Sequence, residues 1–565
     1  MKKVFTFPAG TQPDSRYSFR RAPHLRRVLV VTPVLVALVV VLGPVLVRAA
    51  AVNAVNIALL RSAASTGTSW LRPEPRLRIL WSAERHPSAT GAPDALASFS
   101  IRLGEAAAPL VPSPQTELAL AQIRLNAGEW DAATSALAGT ELDALPEPSG
   151  GETAYGYQAV RGRAALVRAN FTAAAAHLQL AAWLGGDRSR EDGTYGQLYQ
   201  ALAGVHAEEA AQDSGAWRPS YLRAKYLDMA GDLAAGDALK ALAQGQWADV
   251  SPNERADALT RLARYYVGVG DTAKAEETLR SAIAAPVAPA VSYLELAALY
   301  RRTGDLAGAA AAMAPLQGRQ PTYRLGRWVH DQGRGWVAEP RSVGPDWLLE
   351  GYDLDEEALE AGAEIETVLY WRRARAPGET AAEPLMLERR VLRNLVPNAG
   401  FEWQSQDGTT GAQPLGYSGG MYHEPIAATH VEAAERMGRS THVLVLDNEP
   451  PVQRTGALSD AGFAVDKDTL YLQAAWRRAA PTARSMVGRS CAPLGSQAGT
   501  PFYIAFQDAS PAWAYYASVD PPLMEESVAT CWAWLTNYDG QGPSYLDDLL
   551  ITPIAPPDEA AIGGG

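Results

Sequence analysis

Thr469-Leu-Tyr-Leu-Gln-Ala-Ala-Trp-Arg477 is an apolar run of strand length, and runs of this kind decide the fold class of the C-terminal part of the chain. Similar runs occupy Thr441–Asp447, Pro501–Phe506 and Ala529–Leu535, and Gly- and Pro-rich segments separate them. Several short strands divided by turn residues are typical of an antiparallel β-sandwich. We therefore expect a β-rich part that extends from about residue 340 to 553.

Two motifs mark the ends of the predicted sandwich. Asn394-Leu-Val-Pro-Asn-Ala-Gly-Phe-Glu-Trp403 opens it, and Ser544-Tyr-Leu-Asp-Asp-Leu-Leu-Ile-Thr-Pro553 closes it. In this order they resemble the ends of the jelly-roll carbohydrate-binding modules attached to xylanases and cellulases (CBM 4/9-type, galactose-binding-like). The resemblance covers residues 394–553 and implies a jelly roll that binds envelope or extracellular polysaccharide. The same fold also serves protein contacts and pure architecture, so the fold alone does not establish sugar binding.

The resemblance also implies a structural calcium site. In such modules the glutamate of the opening motif and an aspartate of the closing motif often hold Ca²⁺. The matching residues are Glu402 and Asp547, with Asp548 as a substitute. Ca²⁺ prefers several hard oxygen ligands, which these carboxylates can supply. The alternative is a set of capped or salt-bridged carboxylates, and no other cofactor is expected.

Sugar binding requires exposed aromatic rings that stack on pyranose faces. Trp532 and Trp534 share one face of their predicted strand, because successive residues of a strand point to opposite faces. Trp513, Tyr515 and Tyr516 lie in a loop-like context, and we expect them to be exposed. The alternative is that these rings belong to the sandwich core. Further aromatic candidates in this region are Trp403, Tyr417, Tyr422 and Trp476.

The chain has two cysteines, Cys491 and Cys531. So few cysteines exclude cysteine-based zinc modules and disulfide-dense scaffolds. Outside the cytoplasm one disulfide is permitted, and we expect these two residues to pair. The alternative is a pair of buried thiols.

Residues 70–335 are rich in Ala and Leu and carry a recurring turn motif. The motif begins at Gly128, Ala169, Gly231, Gly270 and Gly304. Glycine can end a helix in the left-handed region, and the Asp or Asn that often follows can cap the next helix. The last two copies lie 34 residues apart, the length of a tetratricopeptide repeat.

The recurring motif resembles tetratricopeptide repeats. The resemblance implies a right-handed solenoid of helix pairs with a concave face that binds a protein partner. The alternative is a spacer that supports the adjoining domain. Residues 340–393 are expected to form a β-strand connector between this array and the sandwich, and residues 554–565 a disordered tail.

Val28–Val47 is an apolar run without a charged residue. Twenty helical residues rise about 30 Å, the thickness of a bilayer core. The preceding tail, residues 1–27, holds seven basic residues and one acid, so the positive-inside rule assigns it to the cytoplasm. We therefore expect a single-pass cell membrane protein with its bulk outside the cytoplasm. A cleavable signal peptide is the alternative.

The expected fold class is multidomain α plus β: a transmembrane helix, a helical solenoid and a C-terminal jelly roll. The net charge of −12 argues against nucleic-acid binding. Only six of the 50 basic residues are lysines, which suggests a GC-rich bacterial genome.

No common catalytic motif is present, so we expect no enzyme but a scaffold: a membrane-anchored, non-catalytic adaptor with protein and polysaccharide partners. One alternative is an accessory subunit of a membrane complex. The other is a polysaccharide-processing enzyme, because sequence does not reveal whether two carboxylates face each other.

Overall fold

The computed structural model describes most of the chain after residue 46. The described residues are 47–59, 93–110, 113–137, 150–185, 189, 192–213, 216–245, 250–286, 288–327, 337–338, 340–355, 364–374, 385–396, 398–401, 404–405, 413–414, 417–419, 429–436, 439–448, 454–459, 462–466, 469–493, 500–505, 510–520, 528–538 and 541–557.

The first half of the described chain is helical and the second half is built of strands, so the expected α plus β class is confirmed. The helices are α1 (47–59), α2 (Pro93–Ala107), α3 (Pro114–Asn126), α4 (Trp130–Ala136), α5 (Gly150–Val167), α6 (Phe171–Gly185), α7 (Thr194–Gln212), α8 (Trp217–Met229), α9 (Ala234–Gln244), α10 (Pro252–Gly268), α11 (Thr272–Ile283), α12 (Ala290–Thr303) and α13 (Leu306–Met313).

The strands follow after residue 322. They are β1 (Tyr323–Arg324), β2 (Gly326–Arg327), β3 (Val337–Ala338), β4 (Arg341–Val343), β5 (Trp347–Leu354), β6 (Glu364–Arg373), β7 (Met386–Arg393), β8 (Gln404–Ser405), β9 (Gln413–Pro414), β10 (Tyr417–Gly419), β11 (Thr429–Arg436), β12 (Arg439–Asn448), β13 (Arg454–Ser459), β14 (Phe463–Asp466), β15 (Leu470–Ala479), β16 (Ser485–Pro493), β17 (Thr500–Ala505), β18 (Ala514–Asp520), β19 (Val528–Tyr538) and β20 (Gly542–Ile554).

The chain divides into two compact units, residues 1–136 and 137–565. In the first unit helices α1, α2 and α3 share a small apolar core that includes Ala58, Ala107 and Ile123. In the second unit consecutive helices from α5 to α13 pack against one another in chain order.

The turns between paired helices follow the sequence prediction. Gly270 and Gly304 adopt left-handed φ angles of 81° and 82°, which a side chain would strain. The side chain of Asp271 accepts a hydrogen bond from the backbone N–H of Lys274 and caps α11. Asp305 caps α13 in the same way. The helical part ends at Leu316, however, and strand β1 begins at Tyr323, earlier than the expected boundary at residue 335.

No helix in the described part of the chain is long and apolar enough to cross a bilayer. Helix α7 has 19 residues, but these include Glu208 and Glu209. The predicted basic tail and transmembrane helix, residues 1–27 and 28–47, lie outside the described residues except for Val47. The prediction of a single-pass membrane protein with its bulk outside the cytoplasm is therefore wrong, since the structure contains no such anchor among the residues it describes.

Three larger sheets form most of the described strand region, and the pairs β2–β3 and β8–β9 form two small two-stranded sheets. The connector sheet has the order β1-β5-β6-β7, with β4 also paired to β5. The inner sheet has the order β11-β12-β20-β15-β18, and the outer sheet has the order β10-β13-β19-β16-β17, with β14 also paired to β19. The inner and outer sheets face each other and form a β-sandwich, whose core includes Leu444, Tyr471, Leu535 and Ile551.

The connector sheet is a separate layer rather than an extension of the sandwich. One face packs on the inner sheet, where Trp347, Tyr352 and Trp371 belong to the same apolar cluster as Leu472 and Leu550. Its other face contacts the helices around Ala290 and Leu316. The sandwich therefore has one covered side, and the covering chain comes from the connector.

The predicted disordered tail begins inside ordered structure. Strand β20 continues to Ile554. The guanidinium of Arg390 on β7 then donates hydrogen bonds to the carbonyl oxygens of Ala555 and Pro556. Residues 555–557 are thus held against the connector sheet, and the remainder of the predicted tail lies outside the described residues.

Candidate functional site

The aromatic residues that we expected in a loop lie on or beside strand β18, which pairs with β15 along its whole length. Tyr516 points into the sandwich core and is 7 % exposed. Tyr515 points the other way, and its hydroxyl lies 2.7 Å from the hydroxyl of Tyr352 on the connector sheet. Burial raises the pKa of both phenols, Tyr352 and Tyr515. The ring of Tyr516 is therefore not open to a sugar, and the half-buried ring of Tyr515 packs against the apolar cluster of the connector sheet.

Trp513 and Trp476 also take part in packing. The indole Nε1 of Trp513 donates a hydrogen bond of 3.1 Å to the carbonyl oxygen of Glu435, and the half-buried ring lies 5.3 Å from the guanidinium of Arg478. Trp476 is 8 % exposed and lies with Tyr515 beneath the connector sheet. The covered side of the sandwich thus uses its aromatic residues to hold the connector.

Trp532 and Trp534 lie on the opposite side of the sandwich, on β19. Cys531, Ala533 and Leu535 of the same strand belong to the core, so the two indoles occupy the outward face. Trp534 is 4 % exposed, whereas Trp532 is half-buried. The strand therefore places the two indoles on one face, as the alternation along the sequence predicted.

Small residues flank the two indoles across the strands. On β16, Ser490 pairs with Trp532, and Gly488 pairs with Trp534. On the other side of β19, strand β13 ends at Ser459 and β14 resumes at Phe463, whose partner is Cys531. The exposed Gly462 therefore lies next to Trp532. The cross-strand neighbours of the Trp532 indole that the structure describes are therefore small.

The last residue of β13 and the glycine before β14 both contact β19 near Trp532. The hydroxyl of Ser459 accepts a hydrogen bond of 2.9 Å from the backbone N–H of Ala533. The Ser459 side chain thus satisfies a backbone donor of β19 next to Trp532. A Cβ atom on Gly462 would lie 3.1 Å from Nε1 of Trp532 and 2.5 Å from Cγ2 of Thr530. The backbone at residue 462 thus packs closely against the indole edge.

The aspartates of the closing motif are fully buried and face a guanidinium. Nε of Arg436 lies 3.1 Å from Oδ2 of Asp547, and Nη2 of Arg436 donates to Asp548. Thr441 also donates a hydrogen bond to Asp547. This arrangement corresponds to the salt-bridged alternative. Glu402 lies outside the described residues, and among those described no group of three or more His, Cys, Asp or Glu residues could hold a metal ion.

Cys491 and Cys531 form a disulfide between paired positions of β16 and β19. Both residues are buried in the sandwich core, and their Cα atoms lie 4.0 Å apart. The disulfide lies one residue away from Trp532 on the opposite face of the sheet. It therefore joins the two central strands that carry the candidate site.

A second polar arrangement, which sequence reasoning missed, connects the helices to the connector sheet. We call it the ion layer. It consists of Lys225, Asp228, Asp257, Arg261, Arg264, Glu295, Asp355, Glu366 and Arg389. The helical members belong to α8, α10 and α12, which are the first helices of three successive pairs.

Arg261 and Arg264 of α10 are the central cations of the ion layer. Nη2 of Arg261 lies 3.2 Å from Oδ2 of Asp355, and Nη2 of Arg264 lies 2.7 Å from Oε1 of Glu366. Burial disfavours the Glu366 carboxylate, but Arg264 and the neighbouring arginines outweigh burial and lower its pKa to about 2. The spacing of Asp257, Arg261 and Arg264 on one helix face was a sequence signal for this layer. Asp355, which directly follows strand β5, forms ion pairs with both Lys225 and Arg261 in this layer.

No protein-family model matches the sequence, and no curated protein is significantly similar to it. Several solved structures are similar over part of the chain. Tailspike protein 4 of bacteriophage CBA120 is 11 % identical over 28 % of this chain, with a TM-score of 0.21, and the similarity spans about a fifth (21 %) of that protein.

Two carbohydrate-binding modules are similar over nearly their whole length. A family 61 module in complex with β-1,4-galactotriose is 11 % identical over 29 % of this chain and 99 % of its own, with a TM-score of 0.20. The xylan-binding domain of a Paenibacillus barcinonensis protein is 13 % identical over 28 % of this chain and 94 % of its own, with a TM-score of 0.19. At these identities and scores the similarities carry no argument about function.

Proposed function

We propose that this protein is a non-catalytic adaptor whose outer sheet binds polysaccharide through Trp532. A pyranose ring would stack its apolar C–H face on the indole. In the same proposal, helices α5–α13 form a tetratricopeptide-like solenoid that supports the sandwich and binds a protein partner.

The observation that carries the proposal is the contrast between the two sides of the sandwich. The inner sheet has its aromatic residues Trp476 and Tyr515 beneath the connector sheet. Trp532 keeps partial exposure on the outer sheet and has Gly462 and Ser490 as its cross-strand neighbours. Of the aromatic candidates whose placement is described, Trp532 best combines partial exposure with small cross-strand neighbours.

A second candidate is a structural role without sugar binding, and the ion layer favours it. The first helices of three pairs are engaged by the chain's own connector sheet through Asp355, Glu366 and Arg389. In this reading the helices hold the β layers in place as part of a larger assembly. A protein partner would then dock on a surface other than these first helices.

The test is binding of the full-length chain to a glycan array that includes xylan, β-1,4-galactan and β-glucan, followed by calorimetry with the best ligand. We expect Trp532→Ala to weaken binding about tenfold or more, as expected for an aromatic anchor at the centre of a site. Trp513→Ala is the matched control, because it removes a half-buried indole from the same sandwich. It should leave the affinity within about twofold of wild type.

Three outcomes would overturn the proposal. The first is absence of binding by a chain that is folded by circular dichroism, which would favour the structural role. The second is an equal loss of affinity in the Trp513→Ala and Trp532→Ala variants. The third is turnover of the bound polysaccharide, measured as new reducing ends, which would favour the enzyme alternative.

A further inference from the structure

We propose that Gly462, which directly precedes β14, is a positioning residue that sets the orientation of the Trp532 indole. This inference rests on the proposed function and adds a residue that governs the affinity of the same site. Gly462 would act through Trp532 and would not need to touch the ligand. Its role follows from the register of the strands and from the space around its Cα atom.

The register provides the first argument. Ser459 is the last residue of β13, and the preceding Leu458 pairs with Trp534. Phe463 is the first residue of β14 and pairs with Cys531. Strands β13 and β14 therefore both pair with the same side of β19, and Gly462 before β14 lies beside Trp532. The hydrogen bond from the N–H of Ala533 to the hydroxyl of Ser459 holds β19 at this point.

The space around Gly462 provides the second argument. A Cβ atom there would approach Nε1 and Cε2 of Trp532 to 3.1 Å, which is closer than ordinary van der Waals contact. It would also lie 2.5 Å from the methyl carbon of Thr530. Thr530 has little freedom to move away, because its side chain is branched at Cβ. The indole and the threonine would thus both have to move if residue 462 carried a side chain.

Gly462 has an ordinary backbone conformation, since it is not among the residues with positive φ. Its requirement is therefore for space and not for a left-handed φ. Gly268, at the end of α10, also lacks a positive φ, and nothing lies within 4 Å of a Cβ atom built on it. Gly268 lies in a helix and Gly462 before a strand, so Gly268→Ala controls for the addition of a methyl group that meets no neighbouring atom.

The experiment uses the full-length chain labelled with ¹⁵N-tryptophan. The indole signal of Trp532 is assigned as the one lost in Trp532→Phe. We expect Gly462→Ala to shift this signal and to weaken polysaccharide binding about fivefold to tenfold. Gly268→Ala should change neither the signal nor the affinity. An unshifted Trp532 signal in Gly462→Ala, or an unchanged affinity despite a shift, would overturn the inference.

A stability cycle covers the case in which Gly462→Ala is too unstable for binding studies. The cost of Gly462→Ala is measured by urea unfolding in the wild-type, Trp532→Phe and Thr530→Ser backgrounds. The inference requires the Trp532→Phe background to reduce the cost. If only Thr530→Ser reduces it, Gly462 accommodates the threonine and does not position the indole.

The Trp532 indole signal and the binding affinity together distinguish failure of the proposed function from failure of the positioning role of Gly462. If the wild-type chain binds no polysaccharide, the proposed function fails, and the indole shift and the stability cycle still decide whether Gly462 orients Trp532. If the wild-type chain binds and Trp532→Ala abolishes binding while Gly462→Ala has no effect, the proposed function stands and the positioning role fails.

Discussion

Arg436 forms ion pairs with both buried aspartates of the closing motif. The aspartates Asp547 and Asp548 are 0 % exposed, and Arg436 is 2 % exposed. The guanidinium also lies 5.1 Å from the ring of Trp476. Two buried carboxylates beside each other repel unless a cation compensates them. Here an arginine from the β11–β12 hairpin supplies that cation, and no local sequence pattern links residue 436 to residues 547 and 548.

We predict that Arg436→Met lowers the free energy of unfolding by about 3–5 kcal/mol, because it leaves two buried carboxylates uncompensated. Urea unfolding measures the effect. Arg484→Met is the control, since Arg484 is exposed and should cost less than about 0.5 kcal/mol. Equal costs for the two variants would contradict the role given to Arg436.

The same measurement tests the calcium prediction. If Arg436 neutralises the aspartates, EDTA should leave the unfolding midpoint of the wild-type chain unchanged. If Asp547 and Asp548 instead bind Ca²⁺ together with Glu402, EDTA should lower the midpoint, because a ligand that binds the folded state stabilises it.

At the scale of elements, strand β6 connects the helices to the sandwich. Glu366 on this strand forms ion pairs with Arg264 of α10 and Arg389 of β7. The next residue but one, Val368, packs against the helices with Tyr370. On the opposite face, Ile365, Leu369 and Trp371 pack toward the inner sheet. Strand β6 is thus apolar on its sandwich side and mixed on its helix side.

We predict that the ion layer makes the free energy of unfolding decrease at acidic pH. The pKa of Glu366 is about 2 in the folded chain against an ordinary 4.5, so the unfolded chain binds the proton more tightly. The stabilisation is therefore complete above about pH 4.5 and is lost as the pH falls toward 2. Between pH 5 and pH 2, wild type should lose about 3 kcal/mol more than Glu366→Gln.

The control for acid sensitivity is Glu277→Gln, which changes an exposed glutamate of α11. Urea unfolding at a series of pH values gives the free energy of each variant. If the free energy of unfolding of Glu366→Gln falls with decreasing pH as steeply as that of wild type, Glu366 is not the cause of the acid sensitivity.

At the scale of the whole second unit, the sandwich and the connector sheet form one hydrophobic structure. Leu472 and Leu550 of the inner sheet are 0 % exposed, because the connector covers them. Trp183 at the end of α6 adds a further link, since it joins the sandwich core cluster and its indole donates to the carbonyl oxygen of Leu395. The sandwich therefore depends on chain segments outside the predicted boundaries 394–553.

We predict that a fragment of residues 394–557 exposes the apolar face of the inner sheet. Each uncovered leucine costs about 1.5–3 kcal/mol of lost burial. The fragment should bind a hydrophobic dye such as ANS and self-associate in size-exclusion chromatography. A fragment of residues 321–557, which retains the connector sheet, should bind much less dye. A monomeric 394–557 fragment with the same unfolding midpoint as the longer one would contradict this dependence.

The sequence by itself determined the local features of this protein. The glycine and aspartate pairs at Gly270 and Gly304 predicted where helices end and begin, because φ preference and capping act within a few residues. The strand texture around Thr469–Arg477 predicted the sandwich. Alternation along β19 predicted that Trp532 and Trp534 share a face, because that relation also depends only on neighbouring residues.

Only the tertiary structure decided which surfaces are covered and which charges meet. The sequence predicted that Tyr515 and Tyr516 lie in a loop. They lie instead on β18, which pairs with β15, so Tyr516 packs in the core and Tyr515 contacts Tyr352. Arg436 reaches the closing aspartates across more than a hundred residues, and the ion layer joins α10 to β6 across a similar separation. Such contacts depend on how distant segments pack, and one sequence carries no local signal for the partner of a residue far along the chain.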